Sequence, residues 1–367
     1  MKRIVVLALA VIVVTGMVFV SCEGGGGAID VGLAMPETHV ERWQRDGAAL
    51  LEGAQAMGYE AEVTYGDADQ GLQNEQIQNF ITKGAKVLIV GNINEGVNSV
   101  VSEAAEEEIS VIAYDRLITG SDDYDYYITF DNFKVGEFQG QAIVDALELD
   151  SVSADDPKQI TLFAGSPTDN NANFFFDGAM SRLRPYIEDG VLEVVGPAPM
   201  SSADSAFTRI ATENWRAEVA KARMENLLSN AALNVTLDAV LAPNDTLARA
   251  IIEALGADAK YDTTETLPVV TGQDAELSSV KMIRNGEQHM TVFKDTRDLA
   301  TAAVALVDQI LKGESTPTIP GARLDVETYD TGLKVVNSYL LEPVSVTQEN
   351  WEEIMVDSGY YPAEEFE

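Results

Sequence analysis

Residues 85–113, AKVLIVGNINEGVNSVVSEAAEEEISVIA, decide the reading of the fold. Val87–Val90 is an unbroken apolar run, which predicts a short strand buried on both faces. Val97–Ala105 places apolar residues at helical spacing, and Ser110–Ala113 is again a short apolar run. Strand, helix and strand over about thirty residues make a unit whose two strands run parallel.

The same rhythm extends in both directions. Upstream, Ile29–Met35 reads as a strand, Glu41–Met57 as a helix ending at Gly58, Glu60–Tyr65 as a strand and Leu72–Thr82 as a helix ending at Gly84. Downstream the pattern restarts. Helices are predicted over Phe133–Leu147, Asn170–Ile187, Trp215–Leu228, Asp245–Leu255 and Glu276–Ile283. Strands are predicted over Gln159–Ala164, Leu192–Val195, Asp238–Leu241, Pro268–Thr271 and Thr291–Lys294. Two such series imply an α/β protein of two doubly wound parallel-sheet lobes with a cleft between them. In sheets of this kind ligands sit beyond the carboxyl ends of the strands. Asp115-Arg116, Ser166–Asn171, Asn244-Asp245, Gln273-Asp274 and Lys294 all fall at such ends.

Composition removes several classes of function. The 367 residues are 46% hydrophobic, enough to bury a full core. Sixty Asp and Glu against 24 Lys and Arg give a formal charge of −36, and a surface that acidic repels phosphate backbones. No nucleic-acid partner is expected. The single cysteine, Cys22, permits no intrachain disulfide, and His39 and His289, the only histidines, share no metal spacing. No metal site and no cofactor are expected, and neither histidine is assigned a role.

The N-terminus reads as an address. Lys2 and Arg3 precede an apolar run from Ile4 to Val20, and Ser21-Cys22 follows. A basic start, an apolar run and a small residue mark a signal peptide, here residues 1–21. Cys22 behind that small residue resembles the bacterial lipobox, with Phe19 standing where Leu is usual. Residues 22–27 then form a lipidated Cys22 with a glycine tether, and the protein is expected to be periplasmic or on the cell surface, held at the membrane as a lipoprotein. The competing reading of Ile4 to Val20 is an uncleaved anchor, near the short end of the roughly 20 residues a span needs.

The strand ends also resemble a known family. Glu41-Arg42-Trp43, Ala113-Tyr114-Asp115-Arg116, Phe130-Asp131-Asn132, Gly165-Ser166-Pro167 running to Asp169-Asn170-Asn171-Ala172, Asn244-Asp245, Gly272-Gln273-Asp274-Ala275 and Phe293-Lys294-Asp295 occur in the order found in the type I periplasmic sugar-binding proteins of ABC transporters. The similarity is greatest to the xylose-binding and multiple-monosaccharide-binding proteins and runs from about Ile29 to Tyr361. It implies a three-crossing hinge near Asp131, Asp295 and Asp325. The first lobe would combine residues 28–130 with 295–325, and the second 131–294 with 326–367. It implies ligand contacts from Arg42, Asp115, Arg116, Asp169, Asn171, Trp215, Asn244, Asp274 and Lys294, with Phe175 as a further apolar face. It further implies a monosaccharide ligand of the aldose type (xylose, glucose, galactose or arabinose), delivery to an ABC transporter permease, and a monomer.

The residue chemistry fits that expectation on its own terms. Sugar hydroxyls both donate and accept, which calls for carboxylates, amides, guanidinium and ammonium groups. The C–H face of the ring calls for an aromatic plate, which Trp215 supplies. Plainer readings stand beside these: Asp115-Arg116 as a surface ion pair, Asp169–Asn171 as a helix cap, Trp215 as helix core, Lys294 as a surface lysine. An enzyme is not expected, because Asp115 and Asp274 sit beside cations that favour plain ionisation over catalysis. A sugar-responsive DNA regulator would need a basic segment where this chain has its leader. Another polyol or an autoinducer as ligand, or presentation of the sugar to a receptor, stays open.

Overall fold

The computed structural model describes residues 27–230, 236–315 and 317–367. The apolar leader and Cys22 lie outside the described residues. The chain begins with β1 (Val31–Met35), α1 (Arg42–Ala56), β2 (Ala61–Tyr65), α2 (Gln70–Thr82), β3 (Val87–Val90), α3 (Asn98–Glu106), β4 (Ser110–Tyr114) and β5 (Tyr126–Phe130). It continues through α4 (Asn132–Ala146), β6 (Lys158–Leu162), α5 (Asn171–Glu188), β7 (Leu192–Val194), α6 (Ala217–Ser229), β8 (Ala239–Leu241), α7 (Asp245–Gly256), β9 (Val269–Val270), α8 (Leu277–Asn285) and β10 (Met290–Phe293). It ends with α9 (Thr296–Leu311), β11 (Arg323–Asp325), β12 (Asn337–Leu341) and β13 (Val344–Thr347).

The first lobe is built on a seven-stranded sheet in the order β11-β12-β5-β4-β3-β1-β2. All its strands are parallel except β11, which runs antiparallel to β12. The order explains the burial: central β3 is buried at every residue, whereas edge strand β2 is half-buried throughout. The second lobe carries a four-stranded parallel sheet, β7-β6-β8-β9, and an antiparallel pair, β10-β13. This is the type I two-lobed α/β architecture expected from the sequence.

Three short segments connect the lobes. The chain leaves the first lobe at Asp131, whose side chain caps α4 by accepting from the backbone N–H of Lys134. It returns at Asp295, the cap of α9, which packs on α1. The third passage is not at Asp325. Strand β12 pairs with β5 in the large sheet, and only after Leu341 does the chain enter β13, which pairs with β10. Residues 326–341 therefore belong with the first lobe, because the turn after β11 folds β12 back beside it rather than carrying it across.

Helices α4 and α5 place the second lobe's part of the site. A Cβ on Gly136 would lie 1.9 Å from the backbone oxygen of Phe175, and one on Gly178 would lie 2.0 Å from that of Phe133. Only glycine at both positions lets the two backbones touch, and that contact fixes Phe175. The helix predicted to begin at Trp215 begins instead at Ala217. Asn214 and Trp215 have φ of 49° and 53°, and two left-handed residues in succession cannot continue a right-handed helix.

Candidate functional site

A pocket lies between the lobes, at the carboxyl ends of the strands. It is lined by Val40, Arg42, Trp43, Asp115, Arg116, Asp169, Asn171, Phe175, Trp215, Asn244, Gln273, Asp274 and Lys294. Every ligand contact implied by the family resemblance is among them. Trp43 and Gln273 were legible as neighbours of Arg42 and Asp274, but Trp43 also fits the helical core pattern, and Val40 carries no chemical signal. Ser166 and Asp245, though also at strand ends, do not line the cavity.

Local chain geometry aims these groups. Arg42 opens α1, and its Nε donates to Asp46 Oδ2 at 3.0 Å. Asp46 in turn accepts from the hydroxyl of Tyr114 at 2.6 Å. This anchor leaves the Nη atoms of Arg42 toward the cleft, where Nη1 lies 2.8 Å from Asp115 Oδ1 and 3.6 Å from Asp274 Oδ1. Asp115 follows β4 with φ of 59°, and Asp274 follows β9 with φ of 91°. Left-handed backbone at non-glycine residues costs about 1–3 kcal/mol and persists where the surroundings over-determine it. At Asp115 those surroundings are three donors to its backbone oxygen: Tyr127 Oη at 2.7 Å, Thr129 Oγ1 at 3.1 Å and Asn171 Nδ2 at 2.6 Å. At Asp274, the backbone N–H donates to the carbonyl of Val292 in β10 at 2.8 Å.

The remaining residues are held as firmly. Arg116 Nη2 donates to Glu37 Oε1 at 2.6 Å, and its Nε lies 3.1 Å from Asp169 Oδ2 on the other lobe. Lys294 Nζ lies 3.0 Å from Asp274 Oδ1 and 5.4 Å from the centre of the Phe175 ring. Phe175 meets Trp215 edge-on at 6.4 Å. Gly165 makes room for that indole, since a Cβ there would stand 2.0 Å from Trp215 Cη2. The side-chain oxygen of Asn244 caps α7 by accepting from Leu247 N at 3.1 Å. Asn171 bridges the lobes: its side-chain oxygen accepts from Asn132 Nδ2 at 2.9 Å and lies 2.9 Å from Tyr127 Oη, while its Nδ2 donates to the backbone oxygen of Asp115.

Three cations and three carboxylates line the cavity, so its charge is balanced. Burial works against ionisation of Asp115, but Arg42, Lys294 and Arg116 outweigh it and hold the carboxyl below the ordinary range. Burial also opposes the charge on Arg42, yet Asp115, Asp46 and Asp274 keep its guanidinium well above the usual value. Asp169 goes the other way: burial pushes its carboxyl up by more than Arg116 offsets, and Asp115 adds to the rise. Arg42 Nη2 and Gln273 Oε1 are buried without a hydrogen-bond partner among the described residues. A cavity with aromatic rings from both lobes and unpartnered donors and acceptors is built for a small, neutral, hydroxyl-rich molecule.

Comparison with known proteins agrees with this geometry. Residues 31–315 match the family model for the periplasmic binding protein domain. The chain is 44% identical over 366 residues to the multiple sugar-binding periplasmic receptor ChvE of Rhizobium radiobacter, covering 100% of this chain and 99% of the relative. It is 34% identical over 338 residues to the D-xylose-binding periplasmic protein of Escherichia coli, covering 92% of each. An ABC transporter solute-binding protein from Clostridium phytofermentans, solved with bound β-D-glucose, superposes with a TM-score of 0.83 at 41% identity, over 92% of this chain and 99% of that one. A cleft assembled from strand ends of two α/β lobes, a family model spanning most of the chain and relatives aligned nearly end to end lead to one assignment: the chain belongs to the periplasmic binding protein family.

Proposed function

We propose that this protein binds an aldose monosaccharide in the interlobe cleft and delivers it to an ABC importer. The observation that carries the reading is the lining of the interlobe cavity: Arg42, Asp115, Arg116, Asp169, Asn171, Asn244, Asp274 and Lys294 supply donors and acceptors from both lobes, and Trp215, Phe175 and Trp43 supply apolar plates. The ring hydroxyls would take the polar groups and the C–H faces the aromatic rings. The relatives solved with glucose and the relatives named for xylose or multiple sugars support an aldose as the class. Closure would occur by rotation about the three connecting segments, so that contacts from both lobes form together. The protein acts as a binder and returns the sugar unchanged.

The test is calorimetric titration of the processed protein against D-glucose, D-xylose, D-galactose and L-arabinose. Saturable binding of at least one aldose in the micromolar range or tighter is expected, with no turnover on prolonged incubation. Absence of binding across the panel would overturn the reading. Anchoring by a lipidated Cys22 at the periplasmic face or the cell surface is part of the same proposal. Cys22→Ser should move the protein out of the membrane fraction, and unchanged fractionation and migration would remove the anchor. A monomer is expected by scattering.

A further inference from the structure

His39 has no role in the cleft chemistry described above, yet it stands at the cleft's rim. Its Nε2 is 3.0 Å from the backbone oxygen of Asn214 and 3.2 Å from Glu37 Oε2. Both neighbours are acceptors, so Nε2 has to carry a hydrogen; with the hydrogen only on Nδ1, a lone pair would face two others. His39 and Glu37 precede α1 in the first lobe, and Asn214 precedes α6 in the second. The contact therefore crosses the cleft. Glu37 is 2% exposed and His39 35%, which puts the carboxylate inside and the imidazole at the mouth.

The point of attachment is specific. The carbonyl of Asn214 belongs to the peptide leading into Trp215, and both residues are in the left-handed conformation. On the inner side the Trp215 indole donates to Asp169 Oδ2 at 3.1 Å, Asp169 meets Arg116 at 3.1 Å, and Arg116 donates to Glu37 at 2.6 Å. The contacts close into a ring through His39, Asn214, Trp215, Asp169, Arg116 and Glu37, three residues from each lobe. His39 supplies its outer crossing and Arg116 its inner one. Without His39, the polar tie between the strained turn carrying Trp215 and the first lobe, among the described residues, runs through Asp169 to Arg116.

We propose that His39 is a positioning residue, a latch that donates Nε2–H across the cleft mouth to Asn214, fixes the turn bearing Trp215 and slows release of the ligand. The inference rests on the reading of the cleft as an aldose site. A contact made only when the lobes meet forms after encounter, so it acts on dissociation and leaves association nearly unchanged.

Stopped-flow tryptophan emission with D-glucose tests this on the processed protein. His39→Ala should raise the dissociation rate about 3- to 10-fold, the size expected from losing one hydrogen bond. Association should stay within about twofold, and the melting temperature without sugar should not move. His39→Gln keeps an N–H donor at similar reach and should recover most of the loss. A dissociation rate unchanged in His39→Ala, or equal losses in His39→Ala and His39→Gln, would overturn the latch while leaving sugar binding in place. If the wild-type protein binds no aldose at all, the reading of the cleft fails instead. The latch, which acts by slowing release of that ligand, is then overturned with it.

Discussion

The indole nitrogen of Trp215 donates to Asp169 Oδ2 at 3.1 Å, and the same carboxylate oxygen stands 3.1 Å from Nε of Arg116. One carboxylate thus orients the aromatic plate of the second lobe and meets a cation of the first. The plate belongs to a strained turn, not a helix, so its orientation depends on partners rather than on backbone regularity.

That dependence separates two variants of Trp215. Trp215→Ala removes both the plate and the donor and should weaken aldose binding by about 1–3 kcal/mol, by analogy with other stacked rings. Trp215→Phe keeps a plate and loses only the N–H, so it should lose less. Calorimetric titration measures both. Unchanged affinity in Trp215→Ala would return Trp215 to the core.

Gly165 tests the same plate from beneath. A methyl group there would sit 2.0 Å from Trp215 Cη2, far inside contact distance. Gly165→Ala should displace the indole, lower affinity about as much as Trp215→Ala does, and change the near-ultraviolet circular dichroism of the sugar-free protein. A variant that binds normally with an unaltered spectrum would show that the indole does not occupy this place in solution.

The sequence was legible where burial and local periodicity agree. Val87–Val90 is a strand at the bounds the apolar run gives, because a central parallel strand has no polar face to confuse the pattern. Strand β5 was not read as an element, since Tyr126 and Tyr127 next to Asp125 mimic a polar loop. The crossing after Leu341 was misplaced because it depends on pairing between β5 and β12, more than two hundred residues apart, which no local pattern encodes. Asp115, Arg116, Asp169, Asn171, Asn244, Asp274 and Lys294 were legible because strand ends fix their place, whereas Arg42, Trp215 and Phe175 were implied only by the family resemblance. The strained turn at Asn214 and Trp215 was not, since left-handed backbone at two non-glycine residues is imposed by tertiary contacts.

The two acids of the inner contacts respond to pH in opposite senses. Burial raises the carboxyl pKa of Asp169, whereas neighbouring cations lower that of Asp115 despite its burial. On acidification from neutrality Asp169 therefore takes up a proton while Asp115 stays ionised, and Arg116 loses its partner on the second lobe. Aldose affinity should decline toward acid, and in Asp169→Asn it should be weaker at neutral pH but flat over the same range. Linkage gives the matching stability effect. A raised folded-state pKa means that ionised Asp169 destabilises the fold above its unfolded value, so Asp169→Asn should melt no lower than wild type at neutral pH. The stability that Asp115 contributes is present above its unfolded value and is lost as pH falls through its folded one. An undiminished pH response in Asp169→Asn would assign the titration to another group.

Asp115 is the residue on which the cleft depends most. Its carboxylate is buried, 2.8 Å from Arg42 Nη1, and within the fields of Lys294 and Arg116. Its backbone oxygen meanwhile accepts from Tyr127, Thr129 and Asn171, and its φ is 59°. The side chain therefore serves the cleft, while the backbone serves the fold. Removing the side chain leaves Arg42 without its nearest cleft carboxylate and takes away an acceptor for sugar hydroxyls; losing a charged partner in a dry interface costs about 2–5 kcal/mol. That corresponds to roughly 30-fold to several-thousand-fold weaker binding. The backbone sets a second condition on the choice of variant. Asparagine tolerates the left-handed region better than alanine, so Asp115→Asn should melt near wild type without sugar, and Asp115→Ala somewhat lower. Both should lose affinity, because the amide keeps the shape but not the charge that faces Arg42. Titration with the best aldose and sugar-free thermal melts measure the two effects separately. If Asp115→Asn binds within about threefold of wild type, the carboxylate is not a ligand contact, and the placement of the site around it is wrong.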